Sequence, residues 1–564
     1  MIKQLIECVP NISEGRDIEK INEIAHIVET VEGVKLLDID PGAATNRTVI
    51  TFVGEPEPVI EAAFKLIKRA SELIDMSQHS GEHPRFGATD VCPLVPIAGI
   101  SLEETAKYAH KLGERVGTEL GIPGYFYENA AKQDIRKNLA NCRSGEYEGL
   151  KEKLNNPEWT PDFGPSKYTE SVKSTGVTAI SARDFLVAYN INLNTTSTRR
   201  ASAVAFDIRE AGRIKREGDT ITGKIVKDAD GNPVKVPGQL KAVKGIGWFI
   251  EEYGIAQISY NLTNISITSV HEAFDKTVIA AQQRGLRVTG SELIGLIPLK
   301  AMLDAADYFL VKQERSLGVS EEEKVKIAVK SLGLDDLKPF NPNEKIIEYV
   351  LRDASTTPLL NMNLREFANE TAGESPAPGG GSISAYVGAL GVSLGTMVAN
   401  LSAHKRGWDD KWEYYSEWAV KGDAYKERLL ALVDEDTHSF NQIMNAFKLP
   451  KGSEEEKEAR SQAIQDATKY AIKVPMQVME SAFESMIVMK EMVQNGLQTS
   501  LSDAAVGALC ARTAVMGAYL NVKINTGDLE DEVFKAEMLK KGAEIEEAAI
   551  QLEAEILAEV NQKL

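Results

Sequence analysis

The amino-acid sequence predicts a multidomain protein whose first half is α/β (α+β) and whose second half is an all-α helical bundle. The chain has 564 residues, which is long enough for several domains of roughly 100–200 residues each. Strand-like and helix-like segments alternate in the first half, which is typical of folds that combine both elements. Strand patterns nearly vanish in the second half, where long segments with apolar residues at helical spacing follow one another.

The first half contains short runs rich in β-branched residues and longer amphipathic runs. The predicted strands cover 34–40, 46–54, 182–194 and 254–264, and the predicted helices cover 58–76 and 269–285. The stretch 228–233 (DADGNP) has the composition of a hairpin tip. We expect two subdomains at 1–185 and 186–336, a proline-containing linker at 337–360, and a helical domain at 361–564.

The second half is predicted to contain five long helices. They cover 383–403, 411–447, 454–495, 502–522 and 529–563. Pro475 is expected to kink or restart the third of them, because proline removes a helical hydrogen bond. The run 383–403 is apolar, but it is short and rich in Gly, Ser and Asn, so we expect a tightly packed buried helix and no membrane span.

Charge and cysteine content limit the partners and compartments of the protein. The chain has 83 acidic against 64 basic residues, so nucleic acid is not an expected partner. The four cysteines are far apart in the sequence and lack CxxC spacing, which argues against a zinc ribbon or a disulfide framework and favours a reducing cytoplasm. The opening MIKQLIECVPNISEG lacks the apolar core of a signal peptide.

Residues 79–83 (HSGEH) match H-x-x-E-H, a pattern in which two histidines on one helix face bind zinc. That geometry needs a helix, but Gly81 weakens a helix and Pro84 pushes the preceding residue away from the α region. We therefore expect a loop and no metal site. A histidine in an acid-containing loop is suited to acid–base chemistry because its pKa lies near neutral pH, so His83 is a catalytic candidate.

Polar or glycine-rich loops beside apolar strands are where binding groups on a rigid scaffold concentrate. Loops of this kind lie at 7–17, 37–49 and 80–96. Their candidates for substrate contacts are Asn11, Asp40 and Arg85. The alternative is that these loops are only tight turns, closed by Asp40 and Asn46.

A proline-then-triple-glycine loop opens the first long helix of the second half. Its candidate binding residues are Gly379, Gly380, Gly381 and Ser382. Free backbone amides at such a helix start can hold an anion or a carboxylate, and a sharp N-terminal cap explains the same residues equally well. Asp503 lies at a later helix start, where a carboxylate is ordinary capping, and it is retained as a candidate substrate contact.

An aspartate interrupts the apolar stripe of the predicted helix at 429–447. At 100° per residue the stripe contains Leu429, Val433, Phe440, Ile443, Met444 and Phe447. Asp436 lies inside the stripe, whereas Asp434 and Glu435 point off it, so Asp434→Asn is expected to behave nearly as wild type. Burying a carboxylate is costly and raises its pKa, which makes Asp436 a functional candidate, although a buried hydrogen-bond partner would also explain it.

Seven ordered motifs carry a resemblance over essentially the whole chain. They are LIECVPNISEGRD, NRTVITFVG, GEHPRFGATDVCPLVP, FLVAYNINL, VKGIGWFIEE, PAPGGGSISA and GAYLNVKIN. In this order they resemble the formiminotransferase-cyclodeaminase family. The resemblance implies that the first half transfers a formimino group from N-formimino-L-glutamate to tetrahydrofolate. It implies that the second half closes 5-formiminotetrahydrofolate to 5,10-methenyltetrahydrofolate and releases ammonia.

The resemblance also implies roles for individual residues. His83, in the GEHPR motif, maps onto the family's transferase acid, and Asp436 maps onto its cyclodeaminase base. The family's folate segment begins here at Gly164 and Pro165 and runs to about Gly176. This segment is longer than the family pattern, and the DADGNP hairpin looks like an insertion.

Tetrahydrofolate, with or without a polyglutamate tail, is implied as a co-substrate, and no tightly bound cofactor is expected. The family precedent implies a cytoplasmic homo-oligomer built through the helical domain. Two alternatives stay open. One is a glutamate formyltransferase coupled to a methenyltetrahydrofolate cyclohydrolase, since formyl and formimino groups differ only in O versus NH. The other is a non-catalytic folate-binding scaffold.

Overall fold

The computed structural model describes residues 4–42, 46–80, 85–220, 222–352, 357–375, 377–527 and 529–564. The chain divides into two compact units. The first contains the described residues up to Pro298 together with Leu334–Pro339, and the second contains Leu299–Gly333 and the described residues from Phe340 onward. The first unit combines strands and helices and the second is helical, which confirms the predicted fold class.

The first unit contains the strands of the protein and eight of its helices within the described ranges. The strands are β1 (Leu5–Cys8), β2 (Asn11–Ile12), β3 (Val34–Gly42), β4 (Arg47–Gly54), β5 (Thr89–Ala98), β6 (Gly124–Glu128), β7 (Thr178–Ala182), β8 (Val187–Leu193), β9 (Arg213–Ile214), β10 (Lys235–Val236), β11 (Val243–Ile250), β12 (Ile255–Leu262) and β13 (Val288–Ile294). The helices are α1 (Ile18–Ala25), α2 (Pro56–Leu73), α3 (Leu102–Arg115), α4 (Leu139–Arg143), α5 (Leu150–Leu154), α6 (Glu170–Thr175), α7 (Thr198–Ile208) and α8 (Val270–Gln283).

The first sheet is built from β1 to β7. β1 and β2 lie end to end between β4 and β5, β3 pairs on the far side of β4, and these pairings are antiparallel. β7 pairs in parallel with β5 and β6. One face packs against α1, α2 and α3 through alternate buried residues such as Phe52, Leu94 and Phe126. A second apolar cluster, which includes Val91, Tyr125 and Leu150, covers part of the opposite face.

The second sheet is antiparallel, in the order β11-β12-β8-β13, and α7 and α8 pack on one of its faces. The predicted strand at 182–194 is wrong as a single strand, because β7 ends at Ala182 in the first sheet and β8 begins at Val187 in the second. β9 and β10 form a separate ladder, and a bridge between Lys227 and Pro233 confirms the predicted hairpin tip between them. The other predicted strands and helices of this half are confirmed with small shifts at their ends.

The second unit is helical throughout its described residues. Its helices are α9 (Leu299–Lys312), α10 (Glu321–Leu332), α11 (Pro342–Lys345), α12 (Ile347–Val350), α13 (Leu364–Thr371), α14 (Gly380–Ala403), α15 (Trp412–Phe447), α16 (Glu454–Asn495), α17 (Leu501–Asn525) and α18 (Glu532–Lys563). The five long helices confirm the prediction. The expected restart at Pro475 is wrong, because α16 runs through this buried proline. Packing of α16 along α15, α17 and α18 offsets the helical hydrogen bond that the proline removes.

α14 and α17 pack at close range through small residues. A Cβ atom at Gly391 would lie 2.8 Å from the Gly507 carbonyl oxygen, and one at Gly517 would lie 2.4 Å from Ser384 Oγ. Two helical stretches, Gly380–Ala403 and Gln498–Asn525, are long and apolar enough to cross a membrane. The most apolar window of the first is 61% buried inside the protein, and that of the second is 50% buried. Core helices of water-soluble proteins meet the same criterion.

The two units are not continuous along the chain, because Leu334–Pro339 belong to the first unit. α9 and α10 belong to the second unit, where the loop after α9 contacts two long helices. The Leu317 amide donates to Ser416 Oγ at 2.9 Å, and Asn400 Nδ2 donates to the Gly318 carbonyl oxygen at 2.7 Å. A Cβ atom at Gly318 would lie 2.2 Å from the Ala419 carbonyl carbon, so the loop meets α15 directly.

Candidate active sites

A buried cluster of charged side chains lies on the inner strands β2, β4 and β5 of the first sheet and on α4. Asp90, 1% exposed, accepts hydrogen bonds from Arg143 Nη2 at 2.5 Å and from Arg47 Nη1 at 3.4 Å. Its other oxygen accepts the Phe86 amide at 3.0 Å. Asn11 Oδ1 accepts Arg47 Nε at 2.9 Å. Asn11, a candidate binding residue from the sequence, is thus part of this cluster. The cluster contains residues of β2, β4, β5 and α4.

The guanidinium groups of Arg47 and Arg143 both face the carboxylate of Asp90 in this cluster. Burial raises the pKa of Asp90, while Arg143 and Arg47 act to lower it. Burial also lowers the pKa of Arg47, and the carboxylate of Asp90 opposes that shift. Because Arg47 and Arg143 keep 16% and 15% of their side chains exposed, they can still reach an anionic ligand.

The loops around this cluster are tied together by side chains. Asn46 Oδ1 accepts the Gly15 amide at 3.0 Å, and Asn46 Nδ2 donates to the Ser80 carbonyl oxygen at 2.9 Å. His79 Nε2 donates to the Asn46 carbonyl oxygen at 2.9 Å, while Arg85 Nε donates to His79 Nδ1 at 3.3 Å. Asn46 therefore closes the turn, as the sequence suggested, and His79 is engaged by protein groups on both ring nitrogens.

The predicted transferase acid, His83, lies outside the described residues, together with the rest of 81–84. On its C-terminal side, Arg85 pairs in bidentate fashion with Glu148 at 2.8 and 3.0 Å. Arg85 is thus a buried structural anchor for this loop as well as a candidate contact. Among the described residues, which exclude Glu82 and His83, no group of three or more His, Cys, Asp or Glu side chains is placed to hold a metal ion.

Asp40 lies on the same sheet face as Asn11. Val49 of β4 pairs with Asn11 on one side and with Asp40 on the other, and directly opposed residues share a face. Its interpretation as a turn-closing residue is wrong, because Asp40 lies exposed inside β3. Asp40 therefore lies on the sheet face that also carries Asn11, one strand away from the charged cluster.

The two ends of the predicted folate segment lie at the amino ends of β6 and β7. Gly176 has φ +67° and bridges to Gly87, and a Cβ atom there would lie 2.2 Å from the Phe86 carbonyl oxygen. This end therefore touches the loop that leads to Asp90. Gly164, followed by half-buried Pro165, has φ +74° and packs against Ile122 before β6, so it is not part of the charged cluster.

Sequence reasoning missed several ionisable and polar residues on and beside the two large sheets of the first unit. It missed Arg47, Asp90 and Arg143, and it also missed Glu7, which is buried in β1. Burial raises the pKa of Glu7 to about 7, although the charge of Arg183 acts to lower it. A lone acid inside the apolar strand LIEC was the available signal. On the second sheet, Gln257 Nε2 donates to Asn192 Oδ1 at 2.9 Å, and no local pattern distinguishes these buried amides.

The second candidate site lies where α14 begins beside α15. The Ser382 amide and hydroxyl both donate to Asp436 Oδ2, at 2.8 and 3.0 Å. A Cβ atom at Gly381 would lie 2.0 Å from Asp436 Oδ1, so only glycine allows this approach. A Cβ atom at Gly380 would lie 3.1 Å from Asn521 Nδ2, while Gly379 is the N-cap residue. The two features predicted separately, the glycine loop and Asp436, thus form one site.

Asp436, the carboxylate that the helical stripe indicated, is half-buried, whereas its neighbour Asp434 is buried. Burial raises the pKa of Asp436, and the two hydrogen bonds from Ser382 act to lower it. The net shift is upward because the effect of burial exceeds that of the two hydrogen bonds. A carboxylate can accept a proton and then release it, so Asp436 is suited to acid–base chemistry.

The prediction that Asp434 points away from the core is wrong. Asp434 is 8% exposed and accepts the backbone amides of Leu359 and Leu360 at 2.9 and 3.2 Å. The helical wheel missed this because the residues before α13 cover a second side of α15. Glu435 accepts a hydrogen bond from the Tyr470 hydroxyl, so the three consecutive acids have three different partners.

The apolar stripe around Asp436 is buried over only part of its length. Leu429 and Val433 are fully buried, whereas Phe440, Met444 and Phe447 are 38%, 42% and 50% exposed. The prediction that the whole stripe is buried is therefore wrong for Phe440, Met444 and Phe447. A helical wheel identifies a face of the helix but not how far neighbouring helices extend along it.

Asp503 does not reach the Asp436 site within this chain. Asn521, on the same helix α17, lies beside Gly380, and Asp503 is 18 residues earlier. At 1.5 Å per residue the two positions are about 27 Å apart. Asp503 lies in the first turn of α17, as expected for a residue near a helix start.

Three family models match the chain in succession. The formiminotransferase domain, N-terminal subdomain, matches residues 5–183, the formiminotransferase domain matches 188–352, and the formiminotransferase-cyclodeaminase model matches 363–544. Together with two folded units that each hold a separate ionisable site, they define an enzyme in which a transferase is joined to a cyclodeaminase.

The chain is 42% identical over 535 residues to the formimidoyltransferase-cyclodeaminase of Mus musculus, a match that covers 95% of this chain and 94% of the mouse protein. It belongs to the formimidoyltransferase-cyclodeaminase family, which confirms the resemblance carried by the seven motifs.

Two shorter relatives carry one activity name each. The glutamate formimidoyltransferase of Streptococcus pyogenes serotype M1 is 40% identical over 307 residues, which is 54% of this chain and 93% of that protein. The methenyltetrahydrofolate cyclohydrolase of Methylorubrum extorquens is 32% identical over 181 residues, which is 32% of this chain and 87% of that protein.

Replacing Asp434 is expected to destabilise the helical unit. Asp434→Asn keeps one acceptor oxygen but loses the charged acceptor of two backbone amides, which should lower the free energy of unfolding by about 1–3 kcal/mol. Urea denaturation measures this loss. Glu417→Gln, an exposed neutralisation on the same helix, is the control and should change stability little. Equal stability of Asp434→Asn and wild type would contradict the structural role.

Replacing Asp436 is expected to change the pH dependence of stability. Because its folded-state pKa is raised, the ionised carboxylate destabilises the protein at high pH, and this cost disappears as pH falls through the folded pKa. Above the folded pKa of Asp436, Asp436→Asn should therefore melt at a higher temperature than wild type, and the difference should shrink as the pH falls from that pKa toward the ordinary carboxyl pKa. Differential scanning calorimetry measures it, and a difference that grows on acidification would contradict the assignment.

Proposed function

We propose that this protein transfers the formimino group from N-formimino-L-glutamate to tetrahydrofolate and then cyclises 5-formiminotetrahydrofolate to 5,10-methenyltetrahydrofolate with release of ammonia. The observation that carries the proposal is its membership of the formimidoyltransferase-cyclodeaminase family over 95% of the chain. The two separate sites support it, because one lies in the α/β unit and the other in the helical unit. Tetrahydrofolate serves as a co-substrate in both steps.

In the transferase step, His83 is the proposed acid. N5 of tetrahydrofolate attacks the formimino carbon, and His83 gives a proton to the glutamate nitrogen as its bond to that carbon breaks. Arg47 and Arg143 bind the carboxylates of formiminoglutamate, because both guanidinium groups remain partly exposed beside Asp90. Asn11 orients Arg47 for this task.

In the cyclodeaminase step, Asp436 is the proposed base. N10 attacks the formimino carbon and loses a proton to the carboxylate, which passes it to the nitrogen that departs as ammonia. Both hydrogen bonds from Ser382 end on Oδ2, so Oδ1 is the oxygen that handles the proton. The hydrogen bonds from Ser382 and the close contact with Gly381 hold the carboxylate in one orientation while that proton moves.

We also propose that the protein works in the cytoplasm without a tightly bound cofactor, on small-molecule substrates and not on nucleic acid. The four cysteines are free, including Cys8 and Cys92, whose sulfur atoms lie 3.5 Å apart, and this supports a reducing compartment. α14 and α17 are proposed to be bundle helices and not membrane spans, because each packs along other long helices of its unit.

A second candidate function is a glutamate formyltransferase coupled to a methenyltetrahydrofolate cyclohydrolase. The match to the cyclohydrolase of Methylorubrum extorquens favours it. The two candidates differ in the leaving group, because cyclisation of a formimino group releases ammonia and cyclisation of a formyl group releases water. Purified protein supplied with tetrahydrofolate and either donor separates them when methenyl-folate absorbance and ammonia are followed together.

The two proposed catalytic residues should be separable by mutation. His83→Ala is expected to reduce formimino transfer by at least about 100-fold and to leave cyclisation of supplied 5-formiminotetrahydrofolate intact, because the sites lie in different units. Asp436→Asn should do the reverse, so that 5-formiminotetrahydrofolate accumulates with little ammonia. Glu417→Gln is the matched control for Asp436→Asn. Retention of every activity by both variants would instead support a non-catalytic folate-binding scaffold.

The helical unit is proposed to form the contact between subunits of a homo-oligomer. An apolar face is exposed on neighbouring helices α14 and α17, at Leu390, Met397, Leu401, Val506 and Leu509. A second copy of the same unit is the proposed cover, because a large exposed apolar face favours association. Wild-type protein should therefore sediment as an oligomer at micromolar concentration.

Leu390→Glu should shift this equilibrium toward the monomer, because it places a charge in the centre of the face. Leu564→Glu, at the exposed C-terminal residue, is the control and should leave the oligomer intact. A wild-type monomer in sedimentation velocity would overturn the proposal.

A further inference from the structure

A cavity on the helix-covered side of the second sheet is lined by arginines. It has a volume of about 300 Å³ and lies between α7 and β9. Its polar lining consists of Arg199, Arg209, Arg213, Arg216, Ser202 and Thr220, and none of its described lining residues is acidic. Neither proposed reaction step uses this cavity.

Two of the four guanidinium groups are held by neutral acceptors. Arg209 donates to the Gly212 and Gly245 carbonyl oxygens, each at 3.1 Å, and Arg216 donates to the Gly223 carbonyl oxygen at 2.7 Å. Such contacts orient a guanidinium group without neutralising its charge. Arg209 and Arg216 are therefore prearranged beside the cavity and keep their positive charge.

One carboxylate serves two arginines beside the cavity. Asp207 forms ion pairs with Arg213 and with Arg284, the latter through Nε at 2.5 Å. Burial lowers the pKa of Arg213, and the neighbouring charge of Arg284 adds to that effect. Burial also lowers the pKa of Arg209. Both shifts have the direction that burial gives to a cation.

The local sequence agrees with this excess of positive charge. Residues 199–241 contain ten Lys and Arg against six Asp and Glu, in a chain whose formal net charge is −19. A basic region concentrated around a cavity in an acidic protein attracts anions locally, against the field of the whole chain. The segment also contains the DADGNP hairpin, which the proposed reaction does not use.

We propose that this cavity binds a small polyanion that carries at least two phosphate or carboxylate groups. Guanidinium groups bind the oxygens of either group in pairs, and Ser202 and Thr220 add hydroxyl donors. The volume suits a small molecule. The site differs from the proposed transferase site, because its lining comes from α7, β9 and the segment after β9, whereas Arg47, Asp90 and Arg143 belong to β4, β5 and α4.

Isothermal titration calorimetry of the full chain tests the proposal, with pyrophosphate and citrate as separate probes at constant ionic strength. Binding of pyrophosphate alone identifies a phosphate ligand, and binding of citrate alone identifies a polycarboxylate. Arg199→Gln and Arg216→Gln should each raise the Kd of the bound probe about tenfold or more. Arg200→Gln removes the same charge one residue along α7, outside the cavity lining, and should leave the Kd unchanged.

Two results would overturn the proposal. One is the absence of binding by both probes up to about 5 mM, a concentration at which even weak small-molecule sites fill. The other is a loss of affinity in Arg200→Gln as large as that in Arg199→Gln, which would indicate attraction by surface charge alone. Arg199 is exposed, so its replacement leaves the fold intact and carries the test even if Arg216→Gln is unstable.

Discussion

The hydrogen bonds from Ser382 to Asp436 are the contact on which the helical unit's site depends. A carboxylate can reach the first turn of α14 only where a residue without a side chain lets it approach, and Gly381 provides that opening. The same helix meets α17 through Gly391 and Gly507, so small residues along α14 keep both neighbouring helices close. The glycines of α14 therefore serve two purposes, because Gly381 admits the carboxylate and Gly391 allows the close packing of α17.

The α/β unit handles buried charge in a different way. Asp90 is 1% exposed and is shared by Arg47 and Arg143, which offset part of the rise that burial causes in its pKa. Asp436 instead receives two hydrogen bonds from Ser382, and burial again raises its pKa. One arrangement suits the binding of an anionic substrate, and the other suits the movement of a proton.

Three adjacent acids on α15 show how position on a helix decides the role of a residue. Asp434 accepts the backbone amides of Leu359 and Leu360 and so anchors the residues that precede α13. Glu435 pairs with Tyr470 on α16. Only Asp436 meets the start of α14. Each acid points about 100° from the next, so each meets a different neighbour of the helix.

The sequence by itself determined the elements and the more local parts of the sites. The five long helices of the second half, and Asp436 on the stripe of α15, follow from a 3.6-residue apolar period, which is a property of each segment alone. The tertiary structure decided which segments meet. It paired Asp90 with Arg143, 53 residues away, brought Asp434 to an amide 75 residues earlier, and placed the sulfur atoms of Cys8 and Cys92 3.5 Å apart. Periodicity records which face of an element is apolar, but the partner of that face is selected by the packing of the whole chain.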